Sequence, residues 1–220
     1  MTLVPAPCRI LSRSSTASAI VGLGLILLLA GCNIIPPPLS DPTRYYVLDA
    51  PATAGSGDTV PAGSLRLGLK AIEVPAYLRG REMVLRDGAN EVYLEDYARW
   101  AETLQAGLTR VLKRELQANP AVGRLDAAPF PFDATHDYDV AVTIVRCEGA
   151  AEGGRHVASF AAIIEITTGG TDPRLIVRKE FVAPEVPWNG KDYSELAAGL
   201  SQGVAALSRE IVAALPPKLP

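Results

Sequence analysis

One tetrapeptide divides this chain. Residues 19–30 form an unbroken apolar run of twelve, and Leu29-Ala30-Gly31-Cys32 closes it just ahead of Pro36, Pro37 and Pro38. Arg9 and Arg13 precede the run with no acidic side chain, which is the charge pattern of a secretory signal peptide. A bilayer-spanning helix needs roughly 20 apolar residues, so this run is too short to be a membrane anchor. Residues 33–43, with Pro42 added to the first three prolines, lack backbone donors and favour extended polyproline geometry. At about 3.1 Å per residue they form a tether reaching roughly 30 Å.

Small residues directly before a cysteine resemble the lipobox of bacterial lipoproteins. The resemblance implies cleavage after Gly31, with diacylglycerol on the Cys32 sulfur and an N-acyl chain, such as palmitate, on its amine. One acyl chain binds a bilayer only marginally, so permanent attachment takes the two or three that such proteins carry. Asn33 follows, where lipoproteins held in the inner membrane usually have Asp, and this implies the inner leaflet of the outer membrane, facing the periplasm. There is no Arg-Arg pair for folded export, so the chain is expected to cross unfolded.

Cleavage removes two of 21 basic residues and none of 24 acidic ones, leaving 19 against 24 and a net charge of −5. A modestly acidic domain has no electrostatic reason to bind nucleic acid. Cys8 is lost and Cys32 capped, so Cys147 stands alone and no intramolecular disulfide can form. The remaining 189 residues suffice for one hydrophobic core. The expected organisation is a signal peptide over 1–31, a lipidated tether over 32–43 and one periplasmic domain over 44–220.

Within that domain, Arg44 to Asp49 is aromatic and β-branched and reads as a strand. Residues 51–63, rich in Gly and Pro, read as a loop. Leu65, Leu67, Leu69 and Ala71 alternate with polar or small residues, the pattern of a half-buried strand, and the phase slips by one before Pro75. Glu82–Arg86 and Glu91–Leu94 flank Asp87-Gly88 as a hairpin. Glu95-Asp96 then reads as the negative start of a helix, with Trp100, Leu104, Leu108, Val111, Leu112 and Leu116 at helical spacing and Asn119-Pro120 as its stop. Residues 121–137 read as irregular. Strands are expected over 138–147, 155–167 and 174–182 as an antiparallel meander with a loop over 148–154, followed by a helix from Tyr193 to Leu215. The fold class is α/β of the α+β type. It is a single two-layer domain with a mostly antiparallel mixed sheet of five to seven strands and two long amphipathic helices on one face.

Gly199-Leu200-Ser201-Gln202-Gly203 matches G-x-S-x-G, the elbow of serine hydrolases, which requires a strand before the serine and a sharp turn at it. Here Leu196, Leu200, Val204 and Leu207 keep helical phase through the motif, and both histidines, His136 and His156, precede Ser201 where that fold puts its histidine last. Catalysis at Ser201 is therefore not expected. The histidines and Cys147 lack metal-ligand spacing, so no metal is expected, and no Walker-type phosphate loop occurs. Trp100 beside Arg99 reads either as a partner-facing anchor or, better, as the start of the helical core stripe. Tyr77 and Leu78 are either an exposed contact tip or a corner of the core.

Cys32, then Tyr45-Tyr46-Val47-Leu48, Val74-Pro75-Ala76-Tyr77-Leu78, Met83-Val84 with Arg86, and Arg99-Trp100-Ala101-Glu102 with Leu104 resemble, in order, the ABC-type transport auxiliary lipoproteins, the PqiC-like group. Two positions depart from the pattern: Arg79-Gly80 stands where the family often has Asp-Arg, and Thr103 where it often has Pro. The resemblance implies a non-enzymatic subunit of an intermembrane lipid transport system. Such a subunit docks an MCE-domain conduit at the outer membrane, works with an inner-membrane permease and ATPase, and can form a homo-oligomeric ring. It carries no cofactor beyond the lipid on Cys32. Tyr77, Leu78, Arg79, Arg99 and Trp100 are the expected partner-binding residues. The competing readings are a lipid carrier with its own pocket between helices and sheet and, less favoured, a lipoprotein hydrolase.

Overall fold

The computed structural model describes residues 40–49 and 65–217. The signal segment, Cys32, most of the tether and the expected loop over 51–63 lie outside the described residues. The chain divides into two units, Met1–Asp41 and Pro42–Pro220, and every element named below belongs to the second.

In chain order the elements are β1 (Arg44–Tyr46), β2 (Leu65–Leu69), a 3₁₀ turn (Ala76–Leu78), β3 (Glu82–Asp87), β4 (Glu91–Trp100), α1 (Leu104–Gln117), β5 (Val122–Ala127), β6 (Tyr138–Glu152), β7 (Arg155–Thr168), β8 (Leu175–Val182), β9 (Val186–Trp188) and α2 (Tyr193–Ala214). The β6–β7 hairpin is the spine, antiparallel from Tyr138↔Thr168 to Glu152↔Arg155. The outer edge of β7 carries β8 and β9. The outer edge of β6 forks. Its first residues pair in parallel with β2, which leads to β5, and its last with β3, which leads to β4 and β1. Among the described residues a single isolated bridge, Glu73↔Thr143, spans the gap.

A bulge near Val145 explains how one long strand serves both halves of the fork. Before it Tyr138, Val140, Val142 and Ile144 are buried on the helix side; after it Cys147 takes that side, opposite Phe160. The slip turns Glu148 to the other face. Both helices lie on the first face and touch each other. In α1, Leu108, Val111, Leu112 and Leu116 are at most 1% exposed, and in α2 Leu196, Val204 and Ile211 are at 0%, so the space between helices and sheet is filled by side chains.

The architecture is the expected α+β sheet with two helices, but among the described residues it has nine strands rather than five to seven. β5 lies in the stretch expected to be irregular. Gly123, Arg124 and Asp126 dilute its alternation, while Val122 and Leu125 are buried and pair beside β2. β9 has three residues and owes its existence to β7. The loop expected over 148–154 is strand to Glu152, with a turn at Gly153-Gly154, both at positive φ.

The first helix begins later than its hydrophobic spacing suggests. Residues 91–100 are one strand held between β3 and β1, and Trp100 shares the four-residue period of α1 only by coincidence. Glu95 and Asp96 therefore stand on a strand and cap nothing. The cap is Thr103, whose hydroxyl accepts from the Ala106 N–H at 3.3 Å. At the position where the resembling family often has proline, this chain starts the helix with a side-chain cap instead.

Candidate functional site

Leaving β2 at Leu69, the chain crosses the fork: Lys70 N donates to Val140 O, Glu73 N to Val142 O, and Ile144 N to Glu73 O, at 2.8–3.0 Å. Ile72 and Val74 turn inward. The phase slip expected before Pro75 is this crossing, a strand that ends at Leu69 and touches β6 once more at Glu73. The 3₁₀ turn follows and lays two of the expected site residues against the sheet.

Leu78 is 3% exposed and belongs to the core. Tyr77 is half-buried: its hydroxyl donates to Val145 O at 3.5 Å and accepts from Arg86 Nη2 at 3.4 Å, and the Arg86 guanidinium sits over its ring, 5.6 Å from the centroid. Arg86 Nε donates to Glu148 Oε1, and the Glu148 side chain is completely buried. A carboxylate there is tolerable only with a paired cation. Arg86 Nη1 also donates to Ala89 O, which closes the β3–β4 turn onto the same group.

The electrostatics follow from this packing. Burial, then the hydrogen bond and negative charge of Glu148, raise the Tyr77 pKa above its ordinary value. The hydrogen bond to Glu148 raises that of Arg86. Burial, with Glu148 beside it, pushes the Cys147 thiol up, so this cysteine is a core side chain and not a nucleophile.

Arg79 is exposed and pinned by its Nε to Val74 O at 3.1 Å. Trp100 is 4% exposed; it packs in the core and donates its backbone N–H to Arg81 O. Arg99 is half-exposed, with Glu82 at 3.7 Å. The five expected partner residues therefore gather around one turn and the end of β4, but only Arg79, Arg99 and part of Tyr77 reach the surface. Beside them lies an open groove of about 680 Å³ lined by residues 71–75, Arg79, Thr103–Gln105, Thr143 and Ile144. Arg86 and Glu148 are the central polar residues that sequence reasoning did not single out as a site. Glu148 lay in an expected loop, and nothing local marks it as buried.

The apparent hydrolase elbow is a packing device. Ser201 sits inside α2, donates to Ala197 O at 2.7 Å and accepts from Asp49 N at 3.0 Å, so its hydroxyl fastens the segment after β1 to the helix. Gly199 and Gly203 let α2 settle on β7: a Cβ on either would stand 2.7 Å from the Cβ of Ala158 or Phe160. His136 is held elsewhere, with Asp139 at 2.9 Å and Asp126 at 3.3 Å from its ring nitrogens, and His156 meets Trp188 edge-on. Among the described residues no cluster of His, Cys, Asp and Glu could hold a metal ion, and no helix is long and apolar enough to cross a membrane.

The large apolar side chains left exposed are not scattered. Of ten among the described residues, six lie on β1, β4 and the residue just after β1 (Tyr45, Val47, Val92, Tyr93, Leu94 and Tyr97), and three on β8 (Leu175, Ile176 and Val182). These are opposite edges of the sheet.

A family model described as ABC-type transport auxiliary lipoprotein component matches residues 46–212. No curated protein sequence matches the chain. Among solved structures, protein XCC0632 from Xanthomonas campestris is 18% identical with a TM-score of 0.60, the alignment covering 77% of this chain and 90% of that one. An uncharacterized protein is 21% identical with a TM-score of 0.57, over 70% and 94%. At these identities the likeness concerns the fold.

Proposed function

Because the chain belongs to the ABC-type transport auxiliary lipoprotein family, we propose that it is a non-catalytic docking subunit of an envelope lipid transport system. In this reading Cys32 carries diacylglycerol and an N-acyl chain, and the tether holds the domain on the periplasmic side of the outer membrane. The domain receives an MCE-domain conduit whose permease and ATPase sit in the inner membrane. One observation carries the docking role: the exposed apolar side chains concentrate on two opposite sheet edges. Patches of this kind mark association surfaces. Two different edges on one chain favour head-to-tail contacts, which close into a ring when the rotation allows. The filled layer between helices and sheet favours docking over a carrier with an enclosed pocket, and the engaged hydroxyl of Ser201 favours both over a hydrolase.

The test is Cys32→Ala in the full-length chain, in a strain without redundant systems. The expected result is release from the membrane fraction and raised sensitivity to detergents and hydrophobic drugs. Release with unchanged sensitivity would count against the reading.

A further inference from the structure

Nine arginines among the described residues pair with a carboxylate, as Arg66 does with Asp137 and Arg178 with Glu165. Arg79 does not, although the protein is acidic overall. Its Nε is spent on Val74 O, which fixes the side chain at the groove and leaves both terminal nitrogens without an acceptor among the described residues. Arg81, two residues on, and Arg146, just past the bulge in the strand that floors the groove, likewise have no carboxylate within ion-pair distance among the described residues.

The same groove holds one opposite charge. Glu73 lines it, accepts among the described residues only the Thr143 hydroxyl at 3.4 Å, and makes no ion pair with Arg79. The fork creates this arrangement: β2 and β3 diverge from β6, and the segment crossing the gap carries Glu73 while the turn after it carries Arg79. A fixed cation and a separate anion thus share one cleft, whose volume is in the range of small-molecule sites.

We propose that this groove binds the zwitterionic headgroup of a phospholipid, with phosphate on Arg79 and amine on Glu73. A guanidinium presents forked donors suited to phosphate oxygens, and a carboxylate accepts from an ammonium. The transport reading supplies only the reason a phospholipid would meet the site. The site is a surface contact for a headgroup and not an enclosed carrier cavity.

The test uses the full-length protein in detergent, titrated by native mass spectrometry with short-chain phosphatidylethanolamine, short-chain phosphatidylglycerol and inorganic phosphate. Both substitutions fall on exposed side chains, so a matching urea midpoint verifies the fold. Arg79→Gln is expected to weaken both lipids about tenfold, the scale of one charged hydrogen bond. Glu73→Gln is expected to weaken only phosphatidylethanolamine and to erase its preference over phosphatidylglycerol. Equal lipid affinity in wild type and Arg79→Gln overturns the site, as does displacement of lipid by equimolar inorganic phosphate, which would make it a free-anion site. Partner capture by the wild-type chain separates the two claims. Capture without lipid binding overturns the headgroup site alone, and lipid binding without capture overturns the docking reading alone.

Discussion

Residues 199–203 in α2 and residues 75–86 around the 3₁₀ turn make opposite promises in sequence. The first spells a hydrolase motif and turns out to be a contact surface, two glycines admitting β7 and a serine tying down the segment after β1. The second spells nothing catalytic, yet it assembles a buried ion pair, a tyrosine hydroxyl and the rim of a charged groove. The difference teaches that a motif carries chemistry only with its backbone context. Unbroken helical phase through Ser201 was the informative signal, and the letters G-x-S-x-G were not.

The contrast can be broken by substitution. Its largest expected effect is at Arg86. Arg86→Met strands the Glu148 carboxylate at 0% exposure, and removing one partner of a buried pair costs about 3–5 kcal/mol. Urea unfolding should show it, with Arg86→Met/Glu148→Gln recovering much of the loss; a single-mutant cost under about 1 kcal/mol would mean the pair contributes little beyond a surface contact. On the other side of the comparison, Gly203→Ala pushes a methyl toward Phe160 and should cost about 1–3 kcal/mol, the usual penalty of overpacking. A neutral result would show that α2 can lift from β7 and that the glycine is incidental.

The smallest effect concerns pH. The Ser194 side-chain hydroxyl, then its backbone N–H, hold the Asp192 carboxyl below its ordinary range at the start of α2. A carboxylate with a lowered folded-state pKa contributes stability that is present above its unfolded value, near 4, and is lost as pH falls through the folded one. Asp192→Asn keeps a capping side chain and should flatten the acid limb of the stability profile as pH falls below the ordinary carboxylate range. An unchanged limb would assign acid sensitivity to other carboxylates.

Much of the fold was legible where the physics is local. The β6–β7–β8 meander and the α2 stripe follow from period-two and period-3.6 patterns. The misreadings are those where distant pairing decides. Residues 95–100 are strand because β1 and β3 flank them, and β5 exists because β2 lies beside it. Of the candidate site, the sequence pattern named Tyr77, Arg79 and Arg99, which the fold gathers around one turn and the end of β4. Burial of Leu78 and Trp100 fits the alternative kept open for each, and Glu148 enters only because a bulge three residues earlier reverses its face.

On the proposed function, this chain works through its surfaces and not through Ser201. The most direct measurement is complementation of the barrier defect by full-length chains of matched abundance in a strain lacking the chain and redundant systems. Ser201→Ala is predicted to restore the barrier fully, while Leu94→Asp, on the exposed apolar edge of β4, is predicted to fail. Restoration by Leu94→Asp together with failure of a stably folded Ser201→Ala would place the working group at Ser201 and not on the β4 edge.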